Sequence, residues 1–149
     1  MTTNKPNPLT PSLSLLGRGS RRLKPNFGAG LDGCGGKIMG AIFEVHKELG
    51  PGFLESIYEK ALIEELSSRG MKVETQKFID LIYKNKKIGT HRLDLVIEDK
   101  VVMELKAVES FSIHHKAQLT SYLKASGYKL GILVNFSKGK VEYRRVLIR

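Results

Sequence analysis

Two carboxylates and a lysine lie close together in the stretch RLDLVIEDKVVMELK, residues 92–106: Asp94, Glu104 and Lys106. Apolar residues alternate with others on both sides of Glu98-Asp99-Lys100. Period two over such short runs predicts two strands, and the charged tripeptide predicts a hairpin between them. With a three-residue loop Ile97 faces Val101, and counting back in antiparallel register sets Asp94 opposite Glu104 on one face. A two- or four-residue loop would shift the register by one and separate them. Like charges directly opposite destabilise a sheet, so such a pair needs a cation. Hard oxygen donors suit Mg2+, with Mn2+ as the second choice. The plainer alternative is a set of solvated charges on an ordinary strand, and this stretch alone leaves both readings open.

The elements that must position these residues follow from periodicity. Ile38, Ala41, Ile42, Val45 and Leu49 recur at helical spacing from about Lys37, and Gly50-Pro51-Gly52 ends that helix. His46 within it has no second ligand in view and reads as a half-buried helix residue. A second helix is expected over Leu54–Arg69, with Leu54, Ile57, Tyr58, Ala61, Leu62 and Leu66 as its apolar stripe and Gly70 as its stop. Glu55 borders that stripe, where the helix N-terminus, a cation or a metal would satisfy it. Val73–Tyr83 predicts one bent strand, or two with an irregularity near Gln76. Lys84-Asn85-Lys86-Lys87 is a polar turn, and Ile88–Ile97 returns. Ser112 caps a third helix over about Ile113–Ala125, where Gln118 and Tyr122, four apart, share a face. The apolar run Leu130–Phe136 predicts a strand buried on both faces and parallel to a neighbour, and Val141–Ile148 a last strand. The fold class is therefore α/β (α+β with a mixed sheet): helix, helix, three antiparallel strands, helix, strand, strand.

The chain has 149 residues, with 25 Lys and Arg against 15 Asp and Glu, a formal charge of +10. That length suits one domain with a real core, and that charge favours a polyanionic partner, nucleic acid first. No apolar run approaches the length of a membrane span, so no membrane is expected as partner. The single cysteine, Cys34, excludes an internal disulfide and has no clustered Cys or His that would make a zinc site. A reducing, cytoplasmic setting is expected. Residues 1–36 carry four prolines, seven glycines and five basic residues against one acidic. They predict a disordered basic arm, with the folded domain over 37–149.

The ordered set of these residues resembles a known family. Asp94, Glu104 and Lys106 are similar to the motif of the PD-(D/E)XK nuclease superfamily, the restriction-endonuclease-like fold. Gly52-Phe-Leu-Glu55-Ser-Ile-Tyr58 resembles the signature that names the GxxExxY proteins, a bacterial and archaeal branch of it. The likeness extends through VHKELGPG at 45–52, Gln76, Tyr83, IGTHRLDLVIEDKVVMELKAV at 88–108, Gln118 with Tyr122, and LGILVNF at 130–136, and so covers essentially residues 37–149. The first 36 residues have no counterpart in it. The Gln118/Tyr122 pair is similar to the QxxxY element of RecB-like and phage-type exonucleases, which hints at nucleic-acid ends.

The resemblance implies a restriction-endonuclease-like core with an extra N-terminal helix, and metal-dependent hydrolysis of nucleic-acid phosphodiesters, DNA over RNA. It implies Asp94 and Glu104, with the Leu105 carbonyl, as ligands for Mg2+ (Mn2+ second), and Glu55 as the residue that completes the metal shell or binds a second ion. Lys106 becomes the residue that orients water and stabilises the transition state. Gln118 positions water or phosphate, and Tyr122 buttresses Lys106 or stacks near substrate. Arg92, two residues before Asp94 and so on its face by simple alternation, is expected to contact a phosphate or to pair with Glu104. A domain this small leaves little surface for gripping DNA, so a homodimer or a partner protein is expected to help. Two rivals stand beside this: a nucleic-acid-binding or accessory module without turnover, and a small basic protein whose polar cluster is an ion-pair network.

Overall fold

The computed structural model describes residues 33–149, which form three helices and one five-stranded sheet. The expected basic arm lies, over 1–32, outside the described residues. Helix α1 spans Cys34–Leu49 and α2 Glu55–Ser68. Strands β1 (Val73–Tyr83), β2 (Lys86–Ile97) and β3 (Val101–Lys106) follow, then α3 (Ile113–Ser126), β4 (Leu130–Asn135) and β5 (Glu142–Leu147). The sheet order is β1-β2-β3-β4-β5, with β3 and β4 parallel and all other neighbours antiparallel. This is the mixed α/β arrangement expected for a restriction-endonuclease-like core, and the helical crossover through α3 makes the parallel pair.

The central part of the sheet is covered on both faces. On one, α1 and α2 pack Ile38, Ile42, Tyr58, Leu62 and Leu66 against Leu95, Ile97, Met103, Leu105, Ile132 and Val134. On the other, Leu119 and Leu123 of α3 pack on Ile79, Leu93, Val96, Val102 and Leu133. With both faces covered, β3 and β4 are buried along nearly their whole length, as strands of a two-sided core must be.

Four expectations need correction. Helix α1 starts at Cys34, before the Lys37 boundary, because Gly33 supplies the left-handed N-cap (φ 85°) and Cys34 packs against the core. Leu54 and Ile57 are not part of the buried stripe of α2: Leu54 is 75% exposed, and the stripe is Tyr58, Leu62 and Leu66, spaced by four. The β1–β2 turn is shorter than expected, with Lys84 and Asn85 both at positive φ and Tyr83 already paired with Lys86. That is the geometry of a two-residue hairpin turn. The compensating extra residue falls next to Ile88, where the register shifts between Leu81 and Ile82. His46 is more deeply buried than expected, and its Nε2 donates to the Lys138 carbonyl at 2.7 Å. No helix among the described residues is long and apolar enough to cross a membrane.

Candidate active site

Strands β2 and β3 pair as the three-residue loop requires: Ile97 with Val101, Val96 with Val102 and Leu95 with Met103. The next rung brings Asp94 to Glu104, and there the backbone ladder gives way to side chains. Asp94 Oδ2 accepts from the Leu105 N–H at 2.8 Å, and Glu104 Oε1 accepts a longer bond, 3.4 Å, from the Asp94 N–H. Each carboxylate thus takes the place of a main-chain acceptor of its own strand for an amide of the other's. Buried amides need such partners.

The same rung inverts the phase of β2. Leu95 and Ile97 face α1 and α2, whereas Leu93 packs on the α3 side and His91 stacks on Tyr122 of α3. Opposite Asp94 in β1 lies Gln76, at φ 55°, and alternation inverts there too: Val73 packs with the first cluster and Ile79 with the second. The predicted irregularity near Gln76 is this local inversion. It overturns the placement of Arg92. Rather than sharing a face with Asp94 and reaching Glu104, Arg92 points to α2 and its Nη2 donates to Glu59 Oε2 at 3.3 Å. The neighbour of Glu104 is His91, whose Nε2 lies 3.8 Å from Glu104 Oε1.

His91 is the residue that sequence reasoning missed. Strict alternation would set it on the opposite face from Asp94, and only the inversion brings it to the site. Its ring stacks on that of Tyr122, with centroids 3.5 Å apart and planes within 12°. Its Nε2 is buried and, among the described residues, has no hydrogen-bond partner. Burial, chiefly, holds its pKa below the ordinary value, so near neutral pH it is an uncharged ring.

Glu104 is buried, and its pKa is pushed up to about 8, first by loss of solvent and then by the charge of Asp94. The pair is thus short of positive charge. Lys106 lies further along β3 and lowers the Glu104 pKa only partly. Its Nζ approaches Gln118 Oε1 of α3 at 3.4 Å, and Gln118 lies beside Tyr122. Burial, then the charge of Glu104, raises the Tyr122 pKa. The structure therefore brings Asp94, Glu104, Lys106, Gln118 and Tyr122 to one end of β3, with His91 added.

Glu55 comes to the same end by another route. Gly52 has φ 111°, a conformation that costs glycine little. The Tyr58 hydroxyl donates to the Gly50 carbonyl at 2.5 Å and accepts from the Phe53 N–H at 3.2 Å. The Tyr58 ring is fully buried and stacks on Phe136, centroids 4.4 Å apart. The Gly52-x-x-Glu55-x-x-Tyr58 spacing thus fixes a turn and starts α2 so that Glu55, in its first turn, accepts from the Ala107 N–H at 3.1 Å. On the far side Asn135, wholly buried beside Lys106 in β4, bonds both the N–H and the carbonyl of Val108. The chain leaving Lys106 is clamped from two directions.

This donor set fits a hard divalent cation. Asp94 and Glu104 are oxygen ligands, and one of them is held partly protonated for want of a counter-charge. Among the described residues no three His, Cys, Asp or Glu side chains converge as a ready-made metal cage. An ion here would take two carboxylates and fill its other positions from main-chain oxygen, water and phosphate, the usual habit of Mg2+.

The sequence model of the PD-(D/E)XK nuclease superfamily matches residues 32–146. The chain belongs to that superfamily. PD-(D/E)XK nucleases generally use divalent metal ions, in keeping with the carboxylate pair. A solved structure described as the crystal structure of SSO0001 is similar to this chain, with a TM-score of 0.52 and 25% sequence identity. The likeness covers 62% of this chain and 48% of that one, so the chain matches about half the length of that protein. A comparison with curated proteins finds no match.

Proposed function

We propose that the protein is a metal-dependent nuclease that hydrolyses phosphodiester bonds in nucleic acid, DNA in preference to RNA, in the cytoplasm. The observation that carries this reading is the Asp94–Glu104 rung, where two carboxylates replace backbone pairing and one of them is held well above its ordinary pKa. Asp94 and Glu104 would hold Mg2+, with Mn2+ as a substitute and the Leu105 carbonyl alongside. The ion would supply Lewis acidity toward a phosphoryl oxygen and a lowered pKa for bound water. Lys106 places a compact positive charge beside the phosphate and orients the attacking water. Gln118 holds the Lys106 ammonium, and Tyr122 and His91 form the wall behind it. Arg92, exchanging Glu59 for a phosphate, would contact the flanking backbone. A second copy or a partner protein would extend the grip. The narrower GxxExxY assignment rests on the motif residues and on the turn they build.

The test is cleavage of labelled DNA and RNA in EDTA, Mg2+ and Mn2+. Cleavage is expected with either ion and not in EDTA. Asp94→Ala, Glu104→Ala and Lys106→Ala are each expected to lower the rate at least about a thousandfold, on the scale of losing a catalytic electrostatic group, with the fold retained by circular dichroism. Three variants that cleave like the parent would sink the assignment.

Glu55 divides two roles within this reading. As a metal ligand it needs its charge, so Glu55→Gln would be as inactive as Glu55→Ala. As an anchor for Ala107 it needs only an acceptor, so Glu55→Gln would retain most activity while Glu55→Ala loses it. The hydrogen bond to Ala107 and the lack of a converging third acid favour the anchor. The same lack favours, as a second reading, a module that binds nucleic acid without turnover. That module would bind equally in EDTA, with a steep salt dependence, and would show no cleavage with any ion.

A further inference from the structure

Beyond the rung at Asp94, the β1–β2 hairpin continues, among the described residues, without a third strand, since β3 pairs with β2 only from Leu95 to Ile97. One face of this two-stranded ribbon rests on α3 through Ile79, with Leu81 packed alongside. The other face, which carries Phe78 (65% exposed) and Ile82 (58%), is open among the described residues. Ile88 (67%) sits at the extra residue of β2, and Tyr83 (60%) stands at the tip, paired with Lys86 and in phase with Leu81. Four large apolar residues on one short ribbon are too many to be incidental solvent exposure.

The charge around them selects the partner. Lys84 and Lys86 sit at the tip, and among the described residues neither has a carboxylate partner, whereas Lys87 is paired with Asp80 at 3.0 Å. The Lys84 ammonium lies 5.4 Å from the centre of the Tyr83 ring. A second copy, itself +10 overall, has no reason to seek unpaired lysines beside flat apolar groups. A polyanion with exposed ring faces has two.

We infer that the β1–β2 ribbon is a grip for single-stranded nucleic acid, with one base laid on Tyr83 at the tip, phosphates on Lys84 and Lys86, and a further base on Phe78 of the open face. The inference rests on the nuclease reading and names its substrate class: an unpaired strand or a frayed end. Exposed rings interleaved with cations are how sequence-tolerant single-strand binding is built. The tip stands eight residues from Asp94 along β2, roughly 25 Å at about 3.3 Å per residue. The ribbon would hold the strand well away from the bond being cut.

The experiment is fluorescence anisotropy with single-stranded and blunt duplex DNA in EDTA, over a range of salt, so that binding is read whether or not the protein cleaves. Phe78→Ala/Tyr83→Ala is expected to weaken single-strand binding at least about tenfold and leave the salt slope unchanged. Lys84→Ala/Lys86→Ala is expected to reduce the magnitude of that slope by roughly one to one and a half. Lys37→Ala/Lys47→Ala on α1, with the same loss of charge, is expected to change it less. In Mg2+, ribbon variants should fail on oligonucleotides of roughly 30 nucleotides but match the parent on those of roughly 4, which bracket the span of one binding module. Ribbon variants that bind like the parent, or no worse than the α1 variant, would overturn the inference. So would a parent that elutes as a dimer, with ribbon variants that are monomers of unchanged affinity. That pattern would make the ribbon a self-association face. Absence of cleavage by the parent would count against the nuclease reading alone.

Discussion

Glu104→Gln is expected to stabilise the metal-free protein and to abolish cleavage. The two effects share one cause. Burial and the charge of Asp94 hold the Glu104 carboxyl at a pKa of about 8, against an ordinary value near 4.5 when unfolded. The fold therefore favours the protonated form. The associated stability is fully present below pH of about 4.5, is lost as pH rises, and is gone once pH passes about 8. Gln has the shape of the protonated acid and cannot ionise, so the variant keeps at high pH what the parent loses. The gain at pH 8.5 should be on the order of 2 kcal/mol, or roughly 5–10 °C in melting temperature for a domain of this size. It should shrink toward pH 5. Added Mg2+ should raise the parent's melting temperature and not the variant's, because ion binding needs the charge that Gln lacks. An unchanged melt at pH 8.5, or a variant that still cleaves, would remove Glu104 from a charge-starved pair. The ion-pair-network rival parts from this account over Mg2+: it has no ion to bind and predicts no shift.

Tyr58→Ala should be the most damaging single change outside the site. Tyr58 is fully buried, stacks on Phe136 and bonds both the Gly50 carbonyl and the Phe53 N–H. Truncating a buried aromatic costs about 3–5 kcal/mol, and two main-chain groups lose their partner as well. That is a large part of the total stability of a domain. Tyr58→Phe separates the contributions. It keeps the stack and removes the hydroxyl, so it should cost only about 1–2 kcal/mol. Because the hydroxyl pins the turn that leads into Glu55, Tyr58→Phe should also lower activity in a protein that remains folded. Equal melting temperatures for Tyr58→Ala and the parent would refute the packing argument. Full activity in Tyr58→Phe would refute the positioning argument.

Much of this was legible in the residue types. The 3.6 period marked the helices to within a few residues, and the alternation around Glu98-Asp99-Lys100 set the register that joins Asp94 to Glu104. Gln118 and Tyr122 shared a face because they are four apart. What alternation could not reveal is its own failure. At Asp94 and Gln76 the phase inverts, so each residue before the break on β2 falls on the face opposite to the one counted. Arg92 was lost to Glu59 and His91 was gained by that one event. Leu54 and Ile57 misled for a simpler reason. Apolar residues at helical spacing report amphipathicity, and they do not say which end of the helix overhangs its neighbour.

The shared rung at Asp94 has a bearing on how such a protein can change over time. Its carboxylate oxygen is the acceptor for the Leu105 amide, so the atom that would bind the ion is also a stitch in the sheet. Most replacements at this position therefore loosen the seam between β2 and β3 as well as ending the chemistry, and so carry a cost in stability even where the fold is retained. Asn retains an acceptor and loses the charge. Descendants that abandon catalysis and persist as binding proteins are thus funnelled toward Asn at position 94, so that a silent copy of this site would still look, along its backbone, like a working one.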